Sequence, residues 1–109
     1  MIVYEVNIEV RDETYADYRA WLVLHVEHML ALPGFIAAEI FEQRDPPPTR
    51  GTRALNVQYR LVDEAALQRY LTEHAPRMRE EGTRRFGDAF AATRRVLAVI
   101  ASETKIVRS

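Results

Sequence analysis

Ile2 to Val10 reads IVYEVNIEV, and this alternation constrains the fold more than any other segment. Ile2, Tyr4, Val6, Ile8 and Val10 share one side of an extended chain, while Val3, Glu5, Asn7 and Glu9 share the other. A period of two with one apolar side describes a strand in a sheet that is covered on one face only. The rest of the chain must therefore supply partner strands and something to cover the apolar side.

The period changes after Asp12, which is predicted, with Thr14 as the alternative, to cap a helix running from about Glu13 to Leu32. Tyr15, Tyr18, Leu22, His25, Met29 and Leu32 make its apolar stripe, flanked by Trp21 and Val26. Pro33-Gly34 stops it. Phe35 to about Arg44 predicts a second strand, and Arg53 to Leu61 a third, with Leu55, Val57, Tyr59 and Leu61 on one face. Between them, Asp45 to Gly51 holds three prolines that have no N–H to donate, so it predicts a long hairpin loop.

Asp63 is placed to cap a second helix whose stripe is Leu67, Tyr70, Leu71, His74 and Met78. Pro76 denies Thr72 a hydrogen bond, which predicts a kink, or a break with Pro76 in the first turn of a new helix. Helical spacing continues to Phe86, with Gly87 as the C-terminal residue of positive φ. Phe90 to about Ala101 is the fourth strand. The order β-α-β-β-α-β predicts an α+β ferredoxin-like sandwich: one antiparallel sheet with helices on one face.

A chain of 109 residues supports a single core, here residues 1–101, followed by a polar tail at 102–109 that contains Ile106 and Val107. Charge is unevenly spread. Residues 1–44 hold eight acids against three bases, and residues 75–109 hold eight bases against four acids. Strand 1 neighbours strand 4 in this topology, so Glu5 and Glu9 are expected beside Arg94 and Arg95. A net charge of −1 offers no basic field, so no nucleic-acid partner is expected. The chain has no cysteine and no apolar run near the roughly 20 residues a membrane helix needs. With an N-terminus unlike a signal peptide, these features favour a cytoplasmic protein with no membrane contact.

Four segments carry a family resemblance: IVYEVNIEV, HVEHMLALPGF from His25 to Phe35, VQYRL from Val57 to Leu61, and YLTEHAPRMREEGTRRFGDAFAATRRVL from Tyr70 to Leu97. Together they resemble a family of small bacterial proteins, a domain of unknown function within the dimeric α/β-barrel superfamily. The resemblance implies the ferredoxin-like fold and a homodimer in which two open sheet faces build a shared barrel. That superfamily includes cofactor-free monooxygenases, lactone isomerases, haem-degrading enzymes and non-catalytic ligand-binding modules, so the fold does not choose an activity.

Two helices cover only one face of four strands. The other face is expected to present Glu5, Asn7, Glu9, Asn56, Gln58 and Arg60. The second strand adds either Phe35, Glu39 and Phe41 or Ile36, Ile40 and Glu42, according to register. This face has no aromatic platform for stacking bases. Within a dimer it forms a polar cleft, with Asn7, Asn56, Gln58 and Glu5 as candidate ligand-binding residues for a small molecule, or a self-paired, hydrated interface.

His25 and His74 sit mid-stripe on the two helices and are the candidate catalytic bases. The bland alternative is a core imidazole bonded to Tyr4, Tyr59 or a backbone carbonyl. His25 and His28 are three apart with no evident third ligand, so no metal is expected. A haem-degrading relative pairs a strand Asn with a helical His and a Trp. Asn7 and His74 fill two of those places, but Trp21 lies on the wrong helix for the third. Gly34, Gly51, Gly82 and Gly87 are read as turns or helix ends, not a phosphate loop, and no cofactor is expected. Arg77, Arg79, Arg84 and Arg85, interleaved with Glu80 and Glu81, read as a solvated helix face, with an anion site as the alternative. The sequence thus supports a homodimeric, non-catalytic or regulatory module that binds a small molecule or a protein partner through the sheet-face cleft. The alternative is a cofactor-independent enzyme, monooxygenase-like or isomerase-like, acting in the same cleft.

Overall fold

The computed structural model describes residues 1–106, so Val107 and the rest of the expected tail lie outside the described residues. Four strands, β1 (Ile2–Arg11), β2 (Phe35–Glu42), β3 (Thr52–Leu61) and β4 (Phe90–Ala98), form one sheet in the order β2-β3-β1-β4. Every neighbouring pair is antiparallel. Three helices, α1 (Tyr15–Leu30), α2 (Glu64–Glu73) and α3 (Ala75–Phe86), supply the cover. This is the expected ferredoxin-like α+β architecture.

The strand phasing follows the alternation. Tyr4, Ile8 and Val10 of β1 and Leu55, Val57, Tyr59 and Leu61 of β3 are buried in one core with Tyr18, Leu22 and Met29 of α1 and Leu67, Tyr70 and Met78 beyond. Opposite register places Asn7 beside Asn56 and Glu5 beside Gln58, on the face that no helix covers. On β2 neither register alternative holds whole. A bulge between Phe35 and Ala37 turns Phe35 into the core against Tyr59 and Tyr70. Glu39 and Phe41 then pair with Gln58 and Asn56 on the open side.

Local signals set most boundaries. The Asp63 side chain accepts from the Ala66 N–H at 2.8 Å, so this cap is as expected. The second helical pattern breaks at His74, whose φ of −126° is not helical, and Pro76 falls in the first turn of α3. Asp12 is not a cap. Its N–H is bonded to the Gly51 carbonyl at 3.0 Å, and a 3₁₀ turn over Asp12–Thr14 leads into α1. β4 ends at Ala98, short of Ala101. Gly34 is required by geometry: its φ is +83°, and a Cβ there would sit 2.4 Å from the Ala66 Cβ.

Gly82 is neither a turn nor a helix end. It lies inside α3 and is buried, because the Trp21 ring passes where a side chain would be. A Cβ on Gly82 would meet Trp21 Cη2 at 3.1 Å and Phe90 Cζ at 3.3 Å. This close approach fixes α3 against α1 and brings their side chains together.

Candidate functional site

The sheet separates two groups of candidate residues. On the open face, Arg95 Nε donates to Glu5 Oε1 at 2.6 Å, and Asn7 Nδ2 donates to the same oxygen at 3.0 Å. Gln58 Nε2 reaches Glu5 Oε2 at 3.3 Å, and Asn56 Nδ2 donates to Asn7 Oδ1 at 2.8 Å. Glu5, Asn7, Asn56 and Gln58 are thus brought together, and they bond chiefly to one another. Glu5 is only 4% exposed, the one buried charged residue among those described. Its hydrogen bond from Arg95 holds the carboxyl down to about 2, against a smaller desolvation effect. Asn7 also lines a smaller hollow of about 300 Å³ beneath Pro47, Pro48 and Thr49.

The expected pairing of strands 1 and 4 holds for Arg95 alone. Arg94 stands opposite Val6 and therefore faces the helices, and Glu9 accepts from Thr52 Oγ1 at 3.2 Å instead.

Between the helices and the sheet lies a cavity of about 350 Å³. Tyr4, Tyr18, Trp21, Tyr59, Tyr70 and Phe90 are among its lining, with His25, Arg79, Gly82 and Arg94. Burial pushes the hydroxyls of Tyr18, Tyr59 and Tyr70 well above the usual phenol range, so all three stay protonated donors.

His25 is the imidazole of this cavity. It stacks on Trp21 with centroids 4.6 Å apart and rings 20° from parallel. Its Nδ1 lies 3.3 Å from Glu81 Oε2, so its partner is neither Tyr4 nor Tyr59 nor a carbonyl. A carboxylate only accepts, which places the ring proton on Nδ1 and leaves the lone pair on Nε2. Burial lowers the His25 pKa below its ordinary value, with Glu81 pulling the other way, so the ring is uncharged at neutral pH.

His74 is elsewhere. At the junction of α2 and α3 its Nδ1 is 3.4 Å from Arg77 Nη2 and its Nε2 is 3.8 Å from Glu73 Oε2, and it does not line the cavity. His25 and His74 are therefore not brought together, and neither shares a face with Asn7. His28 is exposed. Among the described residues no group of three or more His, Asp or Glu is arranged to hold a metal ion.

Sequence reasoning left Trp21, Glu81 and Arg94 out of the site and raised Arg79 only within the alternative anion site on its helix. On α3, Arg84 pairs with Glu80 at 2.9 Å as a solvated face would, but Arg79 Nη2 donates to the Tyr4 hydroxyl at 2.9 Å and Glu81 turns to His25. The signal that could have found them is Gly82, read from the sequence only as a turn or helix end. A glycine inside a helix costs about 1 kcal/mol and marks a close approach.

The fold and cavity together define a small α+β protein with a ligand-sized hollow between its helices and its sheet. The family described as domain of unknown function DUF4286 matches residues 1–100, and the chain belongs to it. No curated protein matches the chain. Among solved structures it is similar to SnoaB, a cofactor-independent oxygenase from Streptomyces nogalater, at 14% identity and a TM-score of 0.66, covering 95% of this chain and 98% of that one. A putative antibiotic biosynthesis monooxygenase from Deinococcus radiodurans gives 14% identity, a TM-score of 0.66 and full coverage of both chains. The de novo designed protein Foldit4 gives 17% identity and a TM-score of 0.58 over 90% of this chain and 97% of that one. A designed chain among the neighbours makes plain that this likeness is one of fold. No helix among the described residues is long and apolar enough to cross a membrane.

Proposed function

We propose that the protein is a cofactor-independent enzyme whose first step is proton abstraction by His25 from a small planar molecule held in the helix-side cavity. The observation that carries this reading is the Glu81–His25 pair in the cavity wall. An uncharged imidazole with its orientation fixed by a carboxylate is the form a general base takes. The proton passes from a carbon or phenolic oxygen of the substrate to Nε2, and the electron pair stays on the substrate as an enolate or phenolate. Tyr4, Tyr18, Tyr59 and Tyr70 offer hydroxyl groups at the wall for an oxygen of that anion. Such an anion is the electron-rich species from which oxygen addition or reprotonation at another atom follows. The likeness in fold to SnoaB agrees with the first route.

The open face is proposed as the contact with a second copy of the chain in a cytoplasmic homodimer, rather than as the reaction site. Its amides and Glu5 already satisfy one another, while Phe41 (42% exposed) and Leu97 (37% exposed) flank them with apolar surface.

The test uses 2-tetralone, a neutral, enolisable ketone fused to a flat aromatic ring. Exchange of its C1 protons for deuterium is followed by NMR with and without the protein. The protein accelerates exchange at least tenfold over buffer, and His25→Gln loses that acceleration. Exchange at the buffer rate with the native protein defeats the proposal.

A further inference from the structure

The wall of the cavity carries two cations that nothing among the described residues neutralises. Arg79 of α3 and Arg94 of β4 both line it, and neither takes part in an ion pair among the described residues. The carboxylates nearest in sequence on α3 are committed elsewhere: Glu80 to Arg84 and Glu81 to His25. Both arginines are exposed and so mark the mouth of the cavity.

Their positions converge. Arg94 stands opposite Val6, next along the helix-facing side of β1 from Tyr4, whose hydroxyl accepts from Arg79 at 2.9 Å. Both guanidinium charges act on the Tyr70 hydroxyl, and that of Arg94 also reaches Tyr18 and Tyr59. Each guanidinium is a planar fork that fits a carboxylate with two parallel hydrogen bonds. Beside an aromatic hollow of low dielectric, their attraction for an anion exceeds what the same charges exert in water. The hollow itself, at about 350 Å³, stands near the lower end of ligand sites, which run from roughly 300 to 1,000 Å³.

We infer that the cavity takes a planar aromatic or conjugated organic acid of one to three rings, bound as its anion, with the carboxylate between Arg79 and Arg94 and the ring against Tyr18, Trp21 and Tyr59. This rests on the cavity being the binding site and adds the charge class of its ligand. The arginines are binding and specificity residues; the base remains His25.

The probes are 2-naphthoate and its neutral isostere 2-naphthamide, titrated calorimetrically at low salt. Native protein prefers the acid at least tenfold. Arg79→Gln and Arg94→Gln each reduce that preference three- to tenfold, and the double variant abolishes it while leaving the amide's affinity within twofold. Arg84→Gln, which removes an outward charge from the same helix, leaves the preference intact. Arg79→Lys and Arg94→Lys, which keep the charge but lose the fork, retain part of it, and circular dichroism shows each variant folded. The indole N–H cross-peak of Trp21, the only tryptophan, moves when either compound enters the cavity. Equal affinity for the two probes with Trp21 shifting overturns the anion inference and leaves the cavity as a binding site. A preference that survives in the double variant, or that leaves Trp21 unmoved, places the anion elsewhere and overturns it too. Failure of both compounds to bind overturns this inference, whereas the proposed function falls by 2-tetralone exchange alone.

Discussion

His25 Nδ1 and Glu81 Oε2 stand 3.3 Å apart across 56 positions of sequence, joining α1 to α3 at the wall of the cavity. The carboxylate raises the imidazole pKa while burial lowers it, and burial is the larger effect. The pair therefore yields a neutral ring of fixed tautomer rather than a permanent ion pair.

The first prediction concerns pH. His25 titrates lower in the folded chain than its ordinary value of 6.5, so below 6.5 the unfolded chain binds the extra proton first. This group's contribution to stability is whole above 6.5 and is lost as pH falls from there through the folded pKa. His25→Gln flattens that slope in urea titrations run at successive pH values. Glu81→Gln removes the opposing pull, and the His25 midpoint seen by NMR moves lower still. A midpoint that rises in Glu81→Gln contradicts the assignment.

A second window belongs to Glu5. Its carboxyl is held at about 2 against an ordinary 4.5, so the unfolded chain protonates first and stability drains away as pH falls from 4.5 towards 2. Arg95 is 65% exposed, so solvent screens the pair and its contribution is smaller than the shift alone implies. Arg95→Leu leaves a buried carboxylate short of its main donor and destabilises the fold at pH 7. Adding Glu5→Gln recovers part of the loss. Chemical denaturation at pH 7 and pH 3 separates these cases, and an unchanged acid profile in Glu5→Gln refutes the account.

Gly34 and Gly51 both adopt positive φ, at +83° and +85°, but only Gly34 is crowded. Gly34→Ala is expected to cost more than about 2 kcal/mol, because backbone strain adds to overlap with Ala66 on α2. Gly51→Ala carries the strain alone, about 1 kcal/mol. Equal losses in the denaturation midpoints of the two variants refute the packing argument.

At the start of α1 the Tyr15 hydroxyl donates to Glu42, which Arg53 also reaches at 2.6 Å. The Arg53 guanidinium lies 4.1 Å from the Tyr15 ring centroid. Tyr15→Phe removes one hydrogen bond and keeps the ring under the guanidinium, so the expected loss is about 1 kcal/mol. A loss near that of truncating a core residue, about 3 kcal/mol or more, tells against it.

The strands were legible because one side of each central strand is buried, which leaves a period of two in IVYEVNIEV and in Leu55, Val57, Tyr59 and Leu61. Asp63 and Pro76 act within their own segments, so their effects were readable as well. The Phe35–Ala37 bulge was not, since an extra residue in an edge strand leaves no mark on the apolar pattern. Of the site, His25 was found from its place on the α1 stripe. Glu81 and Arg94 were hidden, and Arg79 stood out only as part of an alternative anion site, because each looks like an ordinary surface charge until Gly82 lets Trp21 approach α3. The polar group Glu5, Asn7, Asn56 and Gln58 was read correctly as one face, but its mutual bonding depends on cross-strand register.

Tyr4 and Glu5 are adjacent in sequence and look to opposite sides of the same strand: one toward the hollow under the helices, the other into the amide network. The sheet is thereby a partition with two separately adjustable surfaces. Selection, or an engineer, can rewrite the odd-numbered positions of β1, and with them the surface that no helix covers, and leave the even-numbered ones undisturbed.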